Sequence, residues 1–232
     1  MSRILVIGDT HLPCVRPGYL EFCKYLKRHH RCNTVVHIGD LVDEHAVSPT
    51  HLALPDAAGL REELAEAREH TQEWHAAFRN VRVCIGNHDD RPYRAAASAH
   101  LASERMRTLN EVWKTPTWTW EYEFIIDGIY FTHRTNNGGQ SPAYNAMRER
   151  AMPVVLGHHH SCAGVKWLVN PERRLFGVDV GAGCDDRGIA FRYFRPSQKR
   201  SVISAAVIID GFPQVHLMPC GENEAFHDSK FE

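Results

Sequence analysis

Arg3-Ile4-Leu5-Val6-Ile7-Gly8-Asp9-Thr10-His11 is the stretch that decides the fold. Its aliphatic residues run without alternation, as in a strand buried on both faces, and the run stops at a Gly followed by Asp-x-His. The pattern recurs twice: Thr34-Val35-Val36-His37-Ile38 ends in Gly39-Asp40, and Val81-Arg82-Val83-Cys84-Ile85 ends in Gly86-Asn87-His88-Asp89. Between these runs, residues 18–30 follow Pro17 as a helix. From Asp56 to Phe78 the residues Leu60, Leu64, Ala67, Trp74 and Phe78 form one apolar stripe at helical period, with Pro55-Asp56 as its start. Strands that end in Gly plus polar residues and alternate with helices predict an α/β sheet with its site at the strands' carboxyl ends.

The second half changes character. Residues 119–126 and 129–132 flank Asp127-Gly128, and residues 201–209 and 213–217 flank Asp210-Gly211; Asp-Gly between β-rich runs signals a two-residue hairpin. Val154-Val155-Leu156 ends in Gly157-His158-His159-His160, and residues 165–169 and 175–180 suggest two strands around Asn170-Pro171. A mixed sheet is expected in the first half and a mainly antiparallel one in the second. With no linker or repeat between them, residues 1–220 are expected to form one domain. Residues 221–232 lack apolar periodicity and read as a loose tail.

Composition narrows the function. The 232 residues carry 27 Lys and Arg against 28 Asp and Glu, a formal charge of −1, which excludes a bulk polycation for duplex DNA and a basic membrane-surface protein. At 43% hydrophobic and 24% charged residues the chain can bury a globular core. No apolar run approaches the roughly 18 residues of a membrane span, and residues 4–7 are too short for a signal-peptide core. Seven cysteines, odd in number and never spaced C-x-x-C, suggest neither a disulfide framework nor a thiolate zinc site; reduced thiols in a cytoplasm are expected. Histidine stands out, with 16 residues.

The loop ends read Asp9-x-His11, Gly39-Asp40-x-x-Asp43, Gly86-Asn87-His88-Asp89, His133 and Gly157-His158-x-His160. Each alone is explained by turn chemistry. In order, at the exits of successive predicted strands, they resemble the motifs of the calcineurin-like metallophosphoesterase superfamily: D-x-H, G-D-x-x-D, G-N-H-D or G-N-H-E, a lone His, and G-H-x-H. The resemblance extends from Asp9 to His160, about two thirds of the chain. It implies two packed mixed sheets flanked by helices in four α-β-β-α layers, with a dinuclear metal site at the loop edge. It also implies that Asp9, His11, Asp40 and His160 hold one metal, that Asp40, Asn87, His133 and His158 hold the other, and that His88 sits beside the substrate, oriented by Asp43.

Physical chemistry is consistent with that partition. Two divalent ions about 3.5–4 Å apart need a shared anionic bridge, and the Asp40 carboxylate can offer one oxygen to each. Imidazoles, carboxylates and an amide oxygen suit Mn, Fe, Zn or Co without choosing among them and disfavour Cu(I) and iron–sulfur clusters; Mn is the favoured expectation. Two carboxylates leave two divalent ions with excess positive charge, so an anionic phosphoester is the natural substrate. The ions bring the pKa of bound water from 15.7 towards roughly 7, so a bridging hydroxide serves as nucleophile and no Ser or Cys is needed. His88 is expected to protonate the leaving group, with Asp43 favouring its charged form.

Other residues keep two readings. Arg91 and Arg134, with Arg94 and Arg187, lie near motif loops and either fork onto a phosphate or make surface salt bridges. Trp118 and Trp120 share a strand face, for nucleobase stacking or for ordinary packing. Asp89 either positions the site or caps the following turn. His37 is expected to be a satisfied core residue, and His159 to point away from the metals. Two departures from the family pattern matter: Asp43 is followed by Glu44 where phosphoprotein phosphatases carry Arg, and His133 by Arg134 where Gly is usual. A phosphoprotein substrate is thereby disfavoured, and phosphodiesters or nucleotides are favoured. Gly177-Val178-Asp179-Val180-Gly181 and Val207-Ile208-Ile209-Asp210-Gly211 are loosely similar to the tail of small stand-alone phosphoesterases from bacteria and their phages. The alternatives are a nuclease of the same superfamily, acting on single-stranded nucleic acid because balanced charge disfavours wide duplex contact, and a non-catalytic interaction module. The sequence specifies no oligomeric state.

Overall fold

A computed structural model describes residues 2–48, 59–185 and 200–219. Its elements are β1 (Arg3–Ile7), α1 (Tyr19–His29), β2 (Thr34–His37), α2 (Leu60–Ala77), β3 (Arg82–Cys84), α3 (Arg91–Ser98), α4 (Leu109–Trp113), β4 (Thr119–Glu121), β5 (Glu123–Ile126), β6 (Ile129–Thr132), α5 (Pro142–Arg150), β7 (Val154–Leu156), β8 (Ala163–Val169), β9 (Arg174–Val180), β10 (Ser204–Ile209) and β11 (Phe212–Leu217). One sheet has six strands in the order β11-β10-β1-β2-β3-β4, the other five in the order β5-β6-β7-β9-β8.

Side-chain alternation along the strands builds the layers. From β1, Leu5 and Ile7 face the helical side, where Phe22, Leu26, Ala67, Trp74, Phe78 and Trp113 pack. Ile4 and Val6 face the other way and meet Ile129, Phe131, Val155, Phe176 and Val178 of the second sheet. Tyr130, Val154 and Leu156 on the far side of that sheet are covered by Ala143, Ala146 and Met147 of α5. The result is four layers, α-β-β-α, with mixed sheets. Each fully buried aliphatic side chain of the middle layer contributes about 1.5–3 kcal/mol relative to exposure. None of the helices, among the described residues, is long and apolar enough to cross a membrane.

Both Asp-Gly hairpins form. Asp127 and Gly128 have φ of 51° and 78°, and Asp210 and Gly211 of 51° and 82°, the paired left-handed residues of a type I′ turn. Three expectations are corrected. Residues 119–126 are not one strand: the chain leaves the first sheet after β4 and enters the second at β5, with Tyr122 between them. The second half does not make a mainly antiparallel sheet of its own: β10 pairs antiparallel with β1, so the β10–β11 hairpin extends the first sheet, and β6-β7-β9 are parallel. Gly59 is extended (φ −67°, ψ 159°) and accepts the role of N-cap, its N–H bonded to Glu62 Oε2 at 3.0 Å, so the helix starts at Leu60 and Leu60 is 54% exposed rather than on the apolar stripe. Pro55 and Asp56, the proposed start, lie outside the described residues, as do Arg187 and the proposed tail, 221–232.

Candidate metal centre

Every motif block follows the carboxyl end of a strand: β1 leads to Asp9 and His11, β2 to Asp40 and Asp43, β3 to Asn87 and His88, β6 to His133, and β7 to His158 and His160. Because β1, β2 and β3 are mutually parallel, as are β6 and β7, the loops of each sheet gather at one edge. There Asp9 Oδ2 lies 3.1 Å from His160 Nε2, and His11 Nε2 lies 3.1 Å from the same nitrogen. Asp40 Oδ2 lies 3.2 Å from His133 Nε2 and 3.7 Å from His11 Nε2, and Asn87 Oδ1 lies 3.1 Å from His133 Nε2. Asp9, His11 and His160 bring ligand atoms within 4.8 Å of one another, and so do Asp40, His133 and His158. His11, Asp40 and His88 form a further such group.

The backbone is bent to achieve this. His11, Asp40 and His158 have φ of 47°, 47° and 68°, left-handed values that cost a non-glycine residue on the order of 1–3 kcal/mol and persist where surroundings over-determine them. Those surroundings are visible: His11 N–H donates to Asp40 O at 3.0 Å, His158 N–H to Asp9 Oδ2 at 2.8 Å, and His88 N–H to Asp40 Oδ1 at 2.8 Å. Gly39, at φ 109°, lets the chain pass where a Cβ would lie 2.6 Å from His133 Nδ1.

The imidazoles are oriented from behind. His133 Nδ1–H donates to Ile38 O at 3.1 Å, which turns the Nε2 lone pair towards the point where the Asp40 Oδ2 and Asn87 Oδ1 oxygens also converge, as a cation would require. Asp43 Oδ1 lies 2.9 Å from His11 Nδ1 and 3.0 Å from His88 Nδ1, and the Asp43 carbonyl oxygen lies 2.7 Å from that same His88 nitrogen, so one residue holds two rings. Cys184 Sγ lies 3.7 Å from His160 Nδ1. Carboxylate or carbonyl partners on the far nitrogen are what a metal-binding imidazole requires. A cation also answers two features that are otherwise unaccounted for. Asp9 Oδ1 is buried without a hydrogen-bond partner, and the His11 and His160 Nε2 atoms face each other. The oxygen and nitrogen donor set fits a divalent first-row ion.

Electrostatics are dominated by burial against close opposite charge. Burial would raise Asp40, but His133 and His88 beside it hold its carboxyl well below the usual range. Burial would lower His133, yet Asp40 and Asp9 push it up to about 9, while burial and the neighbouring His133 push His158 down to about 4. Burial also works against a charged His88, and the Asp40 and Asp43 carboxylates outweigh it, so its pKa is raised.

Arg91 reaches the site but is tethered: it donates to Asp43 O at 2.7 Å and Glu44 O at 3.3 Å, and its Nη2 lies 3.0 Å from His88 Nε2. Arg134 is exposed beside His133, and Arg94 donates to Asn87 O at 2.7 Å. Asp89 accepts from Gly86 N–H at 2.9 Å and Val42 N–H at 3.3 Å, tying two motif loops together. His37 is a satisfied core residue between Thr10 Oγ1 and Gly39 N–H. Trp118 is buried with its indole N–H on Phe78 O at 2.8 Å, and Trp120 packs partly buried beside it, so packing, not base stacking, occupies both. No sequence pattern pointed to Cys184 behind His160, to the double duty of Asp43, or to Glu63 and His45, which pair beside Asp43. The fourth His/Asp/Glu group, Asp43, His45 and Glu63, could not be foreseen because Glu63 sits in a helical turn beside Glu62 and Glu66 with nothing to single it out.

A family model for calcineurin-like phosphoesterase matches residues 2–180. No curated protein matches the chain. Among solved structures, similarity extends to a metallophosphoesterase from Sphaerobacter thermophilus (15% identity, 94% of this chain and 88% of that one, TM-score 0.49). It extends also to Chaetomium thermophilum Vps29 (13% identity, 96% and 90%, TM-score 0.49) and to the Pseudomonas putida nuclease MPE (15% identity, 91% and 87%, TM-score 0.38).

Proposed function

The chain belongs to the calcineurin-like phosphoesterase family, and we propose that it is a dinuclear metal-dependent phosphoester hydrolase acting on phosphodiesters or nucleotides. The observation that carries this reading is the position of Asp40, whose Oδ2 is 3.2 Å from a nitrogen of one imidazole group and 3.7 Å from a nitrogen of the other. In this assignment Asp9, His11, Asp40 and His160 hold one ion and Asp40, Asn87, His133 and His158 the other, with manganese favoured. Bound there, divalent ions supply a hydroxide nucleophile near neutral pH and neutralise charge on the phosphoryl oxygens. His88 delivers the proton to the leaving oxygen from Nε2, and Asp43, 3.0 Å from His88 Nδ1, stabilises the charged ring that does so. Arg91 Nη2, beside His88 Nε2, marks where a phosphoryl oxygen would displace the arginine contact, and Arg134 stands at the rim. A cytoplasmic setting belongs to the same proposal, on the strength of the scattered, odd-numbered cysteines.

Elemental analysis with a phosphoester panel, with and without chelator, tests it. Two divalent ions per chain and chelator-sensitive hydrolysis of a bis-aryl phosphate are expected. Substoichiometric metal after manganese loading, with no ester hydrolysed, overturns the proposal in favour of an interaction module. Cleavage of single-stranded DNA alongside the small ester would make the enzyme a nuclease; intact DNA under the same conditions removes that alternative.

A further inference from the structure

The turn that follows Asp43 is gripped from two sides. Arg91 of α3 donates to the carbonyls of Asp43 and Glu44. Glu63 of α2 accepts from the N–H of His45 at 2.8 Å and of Ala46 at 3.0 Å. Four consecutive residues thus have a backbone group engaged by side chains of two helices, and Glu44 among them is held at a left-handed φ of 50°. Such a clamp fixes the main chain. The side chain of Asp43 has its own restraint.

Glu63 is only 3% exposed, and its Oε1 lies 2.6 Å from His45 Nδ1, which lies 3.5 Å from Asp43 Oδ2. The other Asp43 oxygen is the one that meets His11 and His88. The groups therefore line up as Glu63, His45, Asp43, and then the two rings. Two buried carboxylates that converge on one imidazole nitrogen, His45 Nδ1, need a positive charge between them. His45 provides it, its pKa pushed up to about 10 by contact with Asp43 and Glu63. A separation of 2.6 Å is that of a direct ion pair and not of two ligands to a shared ion, since ligands each about 2.0–2.2 Å from one zinc stand farther apart than that.

We propose that Glu63 and His45 are positioning residues that hold the Asp43 carboxylate with Oδ1 towards His11 and His88, and so set the aim of His88 at the leaving group. The catalytic half of this rests on the hydrolase reading above; the orientation of the rings does not. Two measurements separate them. In the metal-free protein, long-range ¹⁵N–¹H spectra of the histidine rings should show the His11 and His88 nitrogen signals displaced in Glu63→Gln and in His45→Gln. Those of His133, oriented by the Ile38 carbonyl, should stay in place. In the manganese-loaded enzyme, both variants should lose about 10–100-fold in kcat for a bis-aryl phosphate. Their KM should stay within about twofold and their metal content unchanged, and Glu63→Asp should recover part of the loss. Unmoved His11 and His88 signals in a folded variant overturn the proposal, as does a loss that Glu63→Asp does not recover at all. If Glu63→Gln does not fold, His45→Gln on the turn decides alone. If the wild type hydrolyses no ester, the hydrolase reading fails and the spectra still judge the positioning.

Discussion

Adding one methyl group at Gly86 strikes the candidate site where it has least room. A Cβ there would lie 2.1 Å from Asp40 Oδ1, 2.3 Å from Asp40 N and 2.9 Å from Asp40 Cγ. Non-bonded heavy atoms settle near 3.5–4.0 Å, so the overlap exceeds 1 Å and falls on main chain, which cannot rotate away. Asp40 is buried and its Oδ1 accepts the His88 N–H at 2.8 Å, so relieving the clash also breaks a bond to a charged acceptor. Overpacking of this kind costs about 1–3 kcal/mol and the lost bond about 1.5–3. Together these come to about 2.5–6 kcal/mol, and at about 2–4 °C per kcal/mol for a chain of this size Gly86→Ala should lower Tm by roughly 5–24 °C and reduce bound metal. Gly138→Ala is the control, since a Cβ there meets nothing within 4 Å. Calorimetry of the metal-free proteins, followed by elemental analysis after loading, reads both effects. A Gly86→Ala protein with wild-type Tm and full metal would refute the reasoning.

His88→Ala should keep its metal and lose about 10²–10⁴ in turnover of esters with poor leaving groups, with far smaller losses for activated aryl esters; loss of metal instead would move His88 into the ligand shell alongside His11 and Asp40. Asp40→Asn should deplete both ions and Asp9→Asn chiefly one, read as metal per chain; equal depletion contradicts the shared carboxylate. Asp179, whose Oδ1 accepts the Ala143 N–H, is raised by burial from 3.8 to about 6, so the folded state holds its proton more tightly than the unfolded chain. Stability is therefore unaffected below about pH 4, falls as pH rises towards about 6, and stays lower above; Asp179→Asn should match the wild type at low pH and exceed it by up to about 3 kcal/mol at pH 7, and denaturant curves showing an equal offset at both pH values exclude this assignment.

What could be read from the sequence was what is decided locally. The runs at β1, β2 and β3 are continuous because both faces are buried, and the Asp-Gly turns declare themselves because two successive left-handed residues suit few other pairs. The candidate ligands could be picked out because strand exits concentrate them at Gly-containing turns. What escaped detection depends on partners distant in sequence. The pairing Arg3↔Ile209 that carries β10 into the first sheet joins opposite ends of the chain, and no local pattern encodes it. Tyr122 separates β4 from β5 within a run whose β propensity is unbroken, and only the Cys84↔Glu121 and Glu123↔Thr132 pairings reveal that the two strands belong to different sheets. The work of Glu63 is likewise defined by the turn it faces, not by its helix.

The placement of the proposed ligands has a consequence for stability. Asp9, His11, Asp40 and Asn87 follow strands of the six-stranded sheet, and His133, His158 and His160 follow strands of the five-stranded one. Under the proposed assignment each ion draws on both sheets, so loading would clasp the two β layers at the edge where their apolar interface ends. At a free metal concentration 100 times Kd, one independent site stabilises by about 2.7 kcal/mol, which corresponds to a Tm rise of roughly 5–11 °C. It also relieves the repulsion between the buried Asp9 and Asp40 carboxylates, which each carry charge without contact to water. Thermal unfolding during a manganese titration should show Tm climbing with the logarithm of metal and returning on chelation. Amide exchange should gain protection after β6 and β7 together with β1, β2 and β3. Protection gained on the loops of one sheet alone would mean that the ions bind without spanning the layers, and the shared role of Asp40 would fall with it.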